Sequence, residues 1–144
     1  FKFRTMIIDA EKKGLKITVG QAPRITRVGR FLRAKKLDEL AQLFNVLNGT
    51  MSLVGPRPEV KEYMEVYPDN IKKLVLSVKP GITDLASIEF KDENEMLRNS
   101  DDPHFTYVSE ILPIKQKYYI EYVKNSNLVL DIKIIIKTVL ALIR

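Results

Sequence analysis

The chain has 144 residues, the length of one ordinary domain, and 45% of them are hydrophobic while 29% are charged. It contains no cysteine and one histidine, which excludes a disulfide scaffold, thiolate chemistry and a metal site built from several histidines. Its net charge of +6 favours an anionic partner such as nucleic acid, a phosphate ester or an acidic lipid surface. A solvated basic surface accounts for the same charge equally well.

The first part of the chain is basic. Apolar and basic residues alternate over residues 1–8, which predicts a short strand. A helical segment opens at Pro23, and beside its apolar positions runs a series of cations. Such a face suits an anionic bilayer, while for nucleic acid it lacks aromatic interleaving or a known motif, and a solvated face is the common alternative. The cations are Arg24, Arg27, Arg30, Arg33, Lys35 and Lys36.

The middle of the chain predicts several helices. The clearest covers residues 37–48, with an apolar stripe on one side and Asn48-Gly49 as its stop. A stiff turn follows over residues 54–58, and helices are predicted over residues 59–66 and from Pro68 until Pro80-Gly81.

The last part is also mainly helical. Residues 83–90 predict a strand or an extended loop, and residues 93–99, 113–123 and 127–143 predict helices. The apolar stretch at 128–143 is interrupted by charged residues and is too polar and too short for a confident membrane span. It suits either core packing or an interfacial position. The fold class is therefore α+β, a compact helix-rich single domain with a small sheet and amphipathic helices suited to a membrane surface.

Two adjacent carboxylates, Asp38 and Glu39, fall in the first turn of the predicted helix 37–48. The helix terminus and the preceding Lys35 and Lys36 favour their ionised forms. An ionised carboxylate can attack phosphorus or carbon as a nucleophile, and a neighbouring one can hold Mg²⁺ on a diphosphate. The alternative is that both residues only offset the helix dipole.

Arg57 lies between two prolines in Gly55-Pro56-Arg57-Pro58. Paired prolines fix a loop at little entropic cost, so they can present a guanidinium in a preset geometry. A planar guanidinium in that setting suits bidentate phosphate binding. A structural turn with a surface arginine explains the motif as well.

The order of these motifs closely resembles the bacterial sugar transferases. These are monotopic phosphoglycosyl transferases, which start capsule, O-antigen and glycan assembly on the cytoplasmic face of the bacterial inner membrane. The resemblance covers essentially the whole chain. It rests on residues 1–6, 24–33, 37–40, 42–47, 49, 51–59, 79–83 and 130–133.

The resemblance implies a two-step reaction. Asp38 attacks the sugar-bearing phosphate of a UDP-sugar, UMP leaves, and polyprenyl (undecaprenyl) phosphate takes the phospho-sugar from the aspartyl intermediate. By the same resemblance Glu39 is catalytic as the ligand of Mg²⁺, Arg57 binds substrate phosphate, and Arg33 and Lys2 are further candidates for phosphate binding. A site for displacement at phosphorus between two anions needs neutralising charge more than a proton shuttle.

Two features depart from the family pattern. The resemblance implies that residues 1–144 are the catalytic domain without the family's N-terminal membrane segment, which precedes the strand containing Lys2 and Arg4. Many members also follow Pro-Gly-Ile-Thr with Gly-Trp-Ala-Gln-Val-Asn-Gly-Arg, whereas residues 84–91 here read Asp-Leu-Ala-Ser-Ile-Glu-Phe-Lys. Other hypotheses are a non-catalytic basic module for membranes or nucleic acid and a degenerate family member, against which the intact Asp38-Glu39 pair and Arg57 argue.

Overall fold

The computed structural model describes residues 1–9, 24–34, 37–57 and 59–143, with no side-chain description for the last of these. The predicted helix start at Pro23 and the cations Lys35 and Lys36 lie outside the described residues, as does Pro58.

The N-terminal segment runs extended beside the residues that precede the first helix. Met6 and Ile25 form an antiparallel bridge, and the Ile7 N–H donates to the Arg24 carbonyl at 2.9 Å. The predicted strand over residues 1–8 is thus confirmed only as one isolated bridge. Helix α1, Arg27–Ala34, begins two residues after Ile25, and this ends the pairing of Ile25 and its neighbours with the N-terminal segment on that side.

Helix α1 is held tightly against this segment. The Thr26 hydroxyl accepts a hydrogen bond from the Gly29 N–H at 2.9 Å, which satisfies one of the unpaired donors at the helix start. A Cβ atom at Gly29 would lie 2.0 Å from the Thr5 carbonyl oxygen. Glycine at position 29 therefore permits the approach that places α1 over the N-terminal segment.

The predicted helix over residues 37–48 is present but changes type along its length. It opens as a 3₁₀ helix, Leu37–Gln42, and continues as α2, Leu43–Leu47. Gly49, with φ of 72°, follows it, in agreement with the predicted stop. Three-residue turns are common at helix starts, and this one carries Asp38 and Glu39.

Among the described residues, the sheet has two parallel strands, β1 (Ser52–Val54) and β2 (Gly81–Thr83). Ser52 pairs with Gly81 and Val54 with Thr83. The crossover between them contains α3, Lys61–Glu65, and α4, Asp69–Val75, both shorter than the predicted helices.

The chain after β2 is mainly helical. The prediction of a strand or extended loop over residues 83–90 is wrong beyond Thr83, because Asp84 caps a short helix. Its carboxylate accepts from the Ser87 N–H at 2.9 Å and from the Ser87 hydroxyl at 2.6 Å. The helices are α5 (Leu85–Glu89), α6 (Glu93–Arg98), α7 (Pro103–Thr106), α8 (Leu112–Asn125) and α9 (Leu128–Ile143).

A π-helical turn, Tyr107–Ile111, joins α7 to α8. Pro113 follows it in the first turn of α8 and has no N–H to donate to the preceding turn. The wider i→i+5 turn lets the helix pass the proline without a break. Residues 103–125 therefore form one nearly continuous helix.

The core consists of two clusters. The larger packs buried side chains of the crossover helices against the π turn and α8, with Tyr63, Leu97 and Ile111 at its centre. The smaller joins Val54 of β1 to Ile134 of α9. Within the described part of the chain, no helix combines the length and apolar character needed to cross a membrane.

The chain just after β1 approaches the start of β2 so closely that there is no room for a side chain at Gly55 or Gly81. We expect Gly81→Ala to destabilise the protein by about 3 kcal/mol or more, because its Cβ would lie 2.1 Å from the Gly55 nitrogen. Thermal or urea unfolding measures the change. Gly49→Ala is the control, because its Cβ would make only an ordinary contact of 3.7 Å with the Lys79 ammonium but its backbone is left-handed, and we expect it to cost about 1 kcal/mol. Equal stabilities of the two variants would contradict this account.

Burial raises the pKa of Asp84 above its ordinary value of 3.8, although the hydrogen bonds from Ser87 act in the opposite direction. Because the pKa of Asp84 is raised in the folded state, its contribution to the free energy of unfolding is most favourable below pH 3.8. That contribution is lost as the pH rises through the raised pKa. Asparagine cannot ionise. We therefore expect the melting temperature of Asp84→Asn, relative to wild type, to improve as the pH rises from acid to neutral. Asp102→Asn removes a comparable capping carboxylate at the exposed start of α7 and serves as the control. A relative melting temperature for Asp84→Asn that is constant or worsens with pH would refute the argument.

Candidate active site

The 3₁₀ helix directs its two acidic residues to different sides. Successive side chains in such a helix are about 120° apart, since three residues complete a turn. Asp38 is 6% exposed and lies towards the N-terminal segment, while Glu39 is half-buried and lines a cleft. The adjacent carboxylates therefore have separate surroundings.

Two of the predicted phosphate-binding cations lie near Asp38. The Lys2 ammonium is 3.9 Å from the Asp38 carboxylate, and the backbone also connects the segments because the Phe3 N–H is 3.4 Å from the Asp38 carbonyl. The Arg33 Nε donates to the Thr5 hydroxyl at 2.9 Å. Burial lowers the pKa of Arg33, and the negative charge of Asp38 opposes that change. The N-terminal segment and α1 thus surround Asp38 with positive charge.

The third predicted phosphate-binding residue, Arg57, forms a direct hydrogen-bonded ion pair with Glu39. Burial on its own would lower the pKa of Arg57, but the charge of Glu39, their hydrogen bond and the charge of Asp84 together raise it. The Arg57 side chain is still 39% exposed, so it remains open to a ligand. The structure therefore brings Glu39 and Arg57 together from segments 18 residues apart.

A cleft of about 450 Å³ opens beside this ion pair. Glu39 and Arg57 form part of its wall, and Asp38, one residue away, does not. The cleft is large enough for part of a nucleotide-sized ligand. Its other polar lining residues are Thr83, Ser87, Lys91, Asp92 and Thr138, and its apolar lining residues are Ala34, Leu40, Leu43, Ile82, Ile88, Ala141 and Leu142.

Sequence reasoning gave no role to the polar residues on the far wall of the cleft. Ser87 and Lys91 lie in the segment 84–91, whose departure from the usual family pattern was the available signal. Thr138 comes from α9, and its hydroxyl is 2.7 Å from that of Thr83. Nothing in the sequence links these two residues, which are 55 positions apart.

The residues at the cleft fit a magnesium ion that arrives with a diphosphate. In the described part of the chain, no three or more His, Cys, Asp or Glu side chains cluster as a complete metal cage. Magnesium, however, keeps several waters and is usually bound by one or two carboxylates together with substrate phosphates. Glu39 supplies such a carboxylate in the wall of the cleft.

One side of the cleft is apolar and exposed to solvent. Leu40, Leu43 and Leu142 line it and are 52%, 42% and 56% exposed. The apolar stripe predicted on helix 37–48 continues this surface, since Phe44 and Leu47 are also exposed. Further along α9 the exposed apolar residues are Leu128, Val129, Ile132, Ile136, Val139 and Leu140.

Comparison with known proteins identifies relatives of the chain. It is 38% identical over 143 residues to the UDP-glucose:undecaprenyl-phosphate glucose-1-phosphate transferase of Klebsiella pneumoniae. It is 34% identical over 141 residues to the UDP-N-acetylgalactosamine-undecaprenyl-phosphate N-acetylgalactosaminephosphotransferase of Aeromonas hydrophila. A third relative, the galactosyl transferase CpsE of Streptococcus agalactiae, is 36% identical over 149 residues.

Each of these matches covers 96% of this chain, but the chain spans only 28%, 30% and 30% of the respective relatives. The shared region is thus one part of longer proteins. The model of the family described as bacterial sugar transferase matches residues 1–144. The chain belongs to the bacterial sugar transferase family.

Proposed function

We propose that the protein containing this chain is a phosphoglycosyl transferase that moves a phospho-sugar from a UDP-sugar to polyprenyl phosphate. The carrying observation is the arrangement of charge around the adjacent carboxylates. Asp38 lies near Lys2 and Arg33, and Glu39 pairs with Arg57 at the cleft. The names of two relatives each contain a UDP-sugar and undecaprenyl phosphate, and the third is named a galactosyl transferase, which supports this substrate class.

In the first step a carboxylate oxygen of Asp38 attacks the phosphorus that bears the sugar. A new bond joins that oxygen to phosphorus, and the bond from phosphorus to the bridging oxygen of the diphosphate breaks. The electron pair stays on UMP, which leaves. Because the nucleophile and the leaving group are both anionic, the step requires cations on either side of the phosphate.

The second step regenerates the enzyme. A phosphate oxygen of polyprenyl phosphate attacks the same phosphorus, and the bond to Asp38 breaks to release the carboxylate. The product is a polyprenyl diphosphate sugar. Neither step requires a group to carry a proton between the reactants, which agrees with a site that has several cations and no histidine among its lining residues.

The ion pair between Glu39 and Arg57 is suited to exchange partners when substrate arrives. A diphosphate with bound Mg²⁺ offers an anion to Arg57 and a cation to Glu39, so each side chain retains an opposite charge. Magnesium held in this way supplies charge neutralisation at the phosphates. The proposed reaction requires the diphosphate to lie between the Lys2–Asp38 contact and the Glu39–Arg57 pair, within reach of both sets of charges.

The apolar side of the cleft supports a lipid acceptor. Leu40, Leu43 and Leu142 are exposed beside the charged wall, and α9 presents further apolar side chains together with Lys133 and Lys137. An interfacial position brings apolar residues to the acyl boundary, while lysines extend towards the headgroups. We place this surface on the anionic cytoplasmic face of the bacterial inner membrane, where polyprenyl phosphate is accessible.

We expect Asp38→Asn to lower UMP release by at least about 100-fold, because the amide keeps the shape of the carboxylate but is not a nucleophile. The intact protein is assayed in membranes with Mg²⁺, polyprenyl phosphate and a panel of UDP-glucose, UDP-galactose and UDP-N-acetylgalactosamine. Mass spectrometry of the wild type, quenched without the acceptor, should detect a phosphosugar adduct on the peptide containing Asp38.

Asp69→Asn is the matched control, since Asp69 also lies in the first turn of a helix but is exposed and outside the cleft. It should keep wild-type activity. Full activity of Asp38→Asn would overturn the aspartyl mechanism. If the wild type binds membranes or nucleic acid but releases no UMP from any of the three UDP-sugars, the result would instead support the alternative of a non-catalytic binding module.

We expect Glu39→Gln to raise the Mg²⁺ concentration needed for half-maximal activity by about tenfold or more. Loss of even an outer-shell partner of a metal typically costs that much affinity, and Glu39 is assigned a direct contact. Magnesium titration of UMP release measures the effect, with Glu95→Gln on the exposed side of α6 as the control. Superimposable titration curves for Glu39→Gln and wild type would remove Glu39 from its assigned role.

A further inference from the structure

A buried group of charged and polar side chains lies behind the Arg57 loop and has no part in the reaction described above. Lys115, 7% exposed near the start of α8, has its ammonium 2.5 Å from Glu93 and 3.9 Å from Glu59. The Tyr107 hydroxyl donates to Glu59 at 2.8 Å and also lies 3.3 Å from the Lys115 ammonium. We call these four residues the Lys115 network.

The Lys115 network is a costly way to fill space in a core. Taking an ammonium and two carboxylates largely out of water carries a desolvation penalty, and apolar residues of similar volume often stabilise a fold as well or better. Burial raises the pKa of Glu59 even though Lys115 and the Tyr107 hydrogen bond lower it. Stability alone is thus a weak explanation for these residues. Their geometry fits a role in orienting the neighbouring loop that carries Arg57.

The network reaches the active site through Glu59, two residues after Arg57. Both oxygens of Glu59 have a partner, since Oε1 faces Lys115 and Oε2 accepts from Tyr107. On the other side of Arg57, the Pro56 carbonyl accepts from the Gly81 N–H at 3.1 Å, and the Gly55 N–H donates to the Thr83 carbonyl at 3.0 Å. The loop that carries Arg57 is therefore held by β2 before the arginine and by α8 and the π turn after it.

We propose that Glu59, held by Tyr107 and Lys115, is a positioning residue that orients Arg57 towards the diphosphate. The inference rests on the proposed function, because it assigns Arg57 to substrate phosphate. A guanidinium recognises phosphate through a planar fork, so its binding depends on orientation as well as charge. A small displacement of a group that positions the substrate can lower the reaction rate by a large factor. Glu59 restricts such displacements of Arg57.

Tyr107→Phe is the mildest test, because it removes the hydrogen bond to Glu59 and keeps the ring that packs 4.6 Å from the Tyr63 ring. We expect kcat/KM of UMP release by the intact protein to fall about tenfold, with KM for the UDP-sugar raised. Thr106→Val is the matched control. It removes the neighbouring hydrogen bond between Thr106 and Ser100, measured at 2.6 Å, and should leave both kinetic constants unchanged. Tyr107→Phe kinetics equal to those of Thr106→Val would overturn the proposal.

A double-mutant cycle separates positioning of Arg57 from general support of the fold. Arg57→Lys keeps the charge but lacks the fork, so orientation matters less in that background. We expect Tyr107→Phe to reduce kcat/KM by a clearly smaller factor in Arg57→Lys than in the wild-type background. Equal factors in the two backgrounds would mean that Glu59 acts independently of Arg57, which contradicts the proposal.

Hydrogen–deuterium exchange supplies a readout that does not require activity. Tyr107→Phe should speed exchange in the peptide that contains Arg57 and Glu59, whereas Thr106→Val should not. Unchanged exchange in that peptide would overturn the proposal that Glu59 restrains the Arg57 loop, whatever the activity of the variant. If the wild type released no UMP but the variants showed the expected exchange pattern, the proposed function would be rejected. The restraint of the Arg57 loop by Glu59 would still be supported.

Discussion

The ion pair between Glu39 and Arg57 is the contact on which the candidate site depends. It joins the 3₁₀ helix to the loop after β1, two segments that local structure alone would not bring together. Through it Glu39 is held at the wall of the cleft, with Asp38 one residue away, and the guanidinium stays partly open to solvent. The two charges balance one another, and the proposed exchange with a diphosphate and its cation would leave neither residue unpaired.

The different surroundings of Asp38 and Glu39 follow from local geometry. A three-residue turn directs adjacent side chains about 120° apart, so one carboxylate faces the basic N-terminal segment and the other faces Arg57. The close packing of Gly29 on Thr5 brings Arg33 near Asp38 as well. Two similar carboxylates thereby gain separate environments, as their proposed roles of nucleophile and metal ligand require.

The sequence predicted those elements whose signals are local. Apolar periodicity identified α9, and Asn48-Gly49 marked the end of α2. Helix α5 was missed, although Asp84 before an apolar run is a recognisable cap, because the preceding Gly-Ile-Thr favours a strand. The family resemblance assigned both Glu39 and Arg57 to substrate binding, but their direct ion pair was not predicted, since no local pattern encodes an approach across 18 residues. The Lys115 network could not be predicted for the same reason, as its members come from three separate stretches of the chain.

Fixed charge at the cleft is useful for the proposed reaction, because a diphosphate substrate brings its own opposing charge. A guanidinium that had to be ordered during each turnover would lose part of its electrostatic benefit to the entropy of ordering. Hydrogen bonds to β2 and the contacts of Glu59 restrain the loop on both sides of Arg57 before any ligand binds. The exposed apolar side of the cleft places no comparable demand on geometry, since burial of apolar surface is non-directional. Rigid polar contacts on one wall and permissive apolar contacts on the other therefore suit the proposed substrate pair, in which a diphosphate needs orientation and a polyprenyl chain needs only a surface.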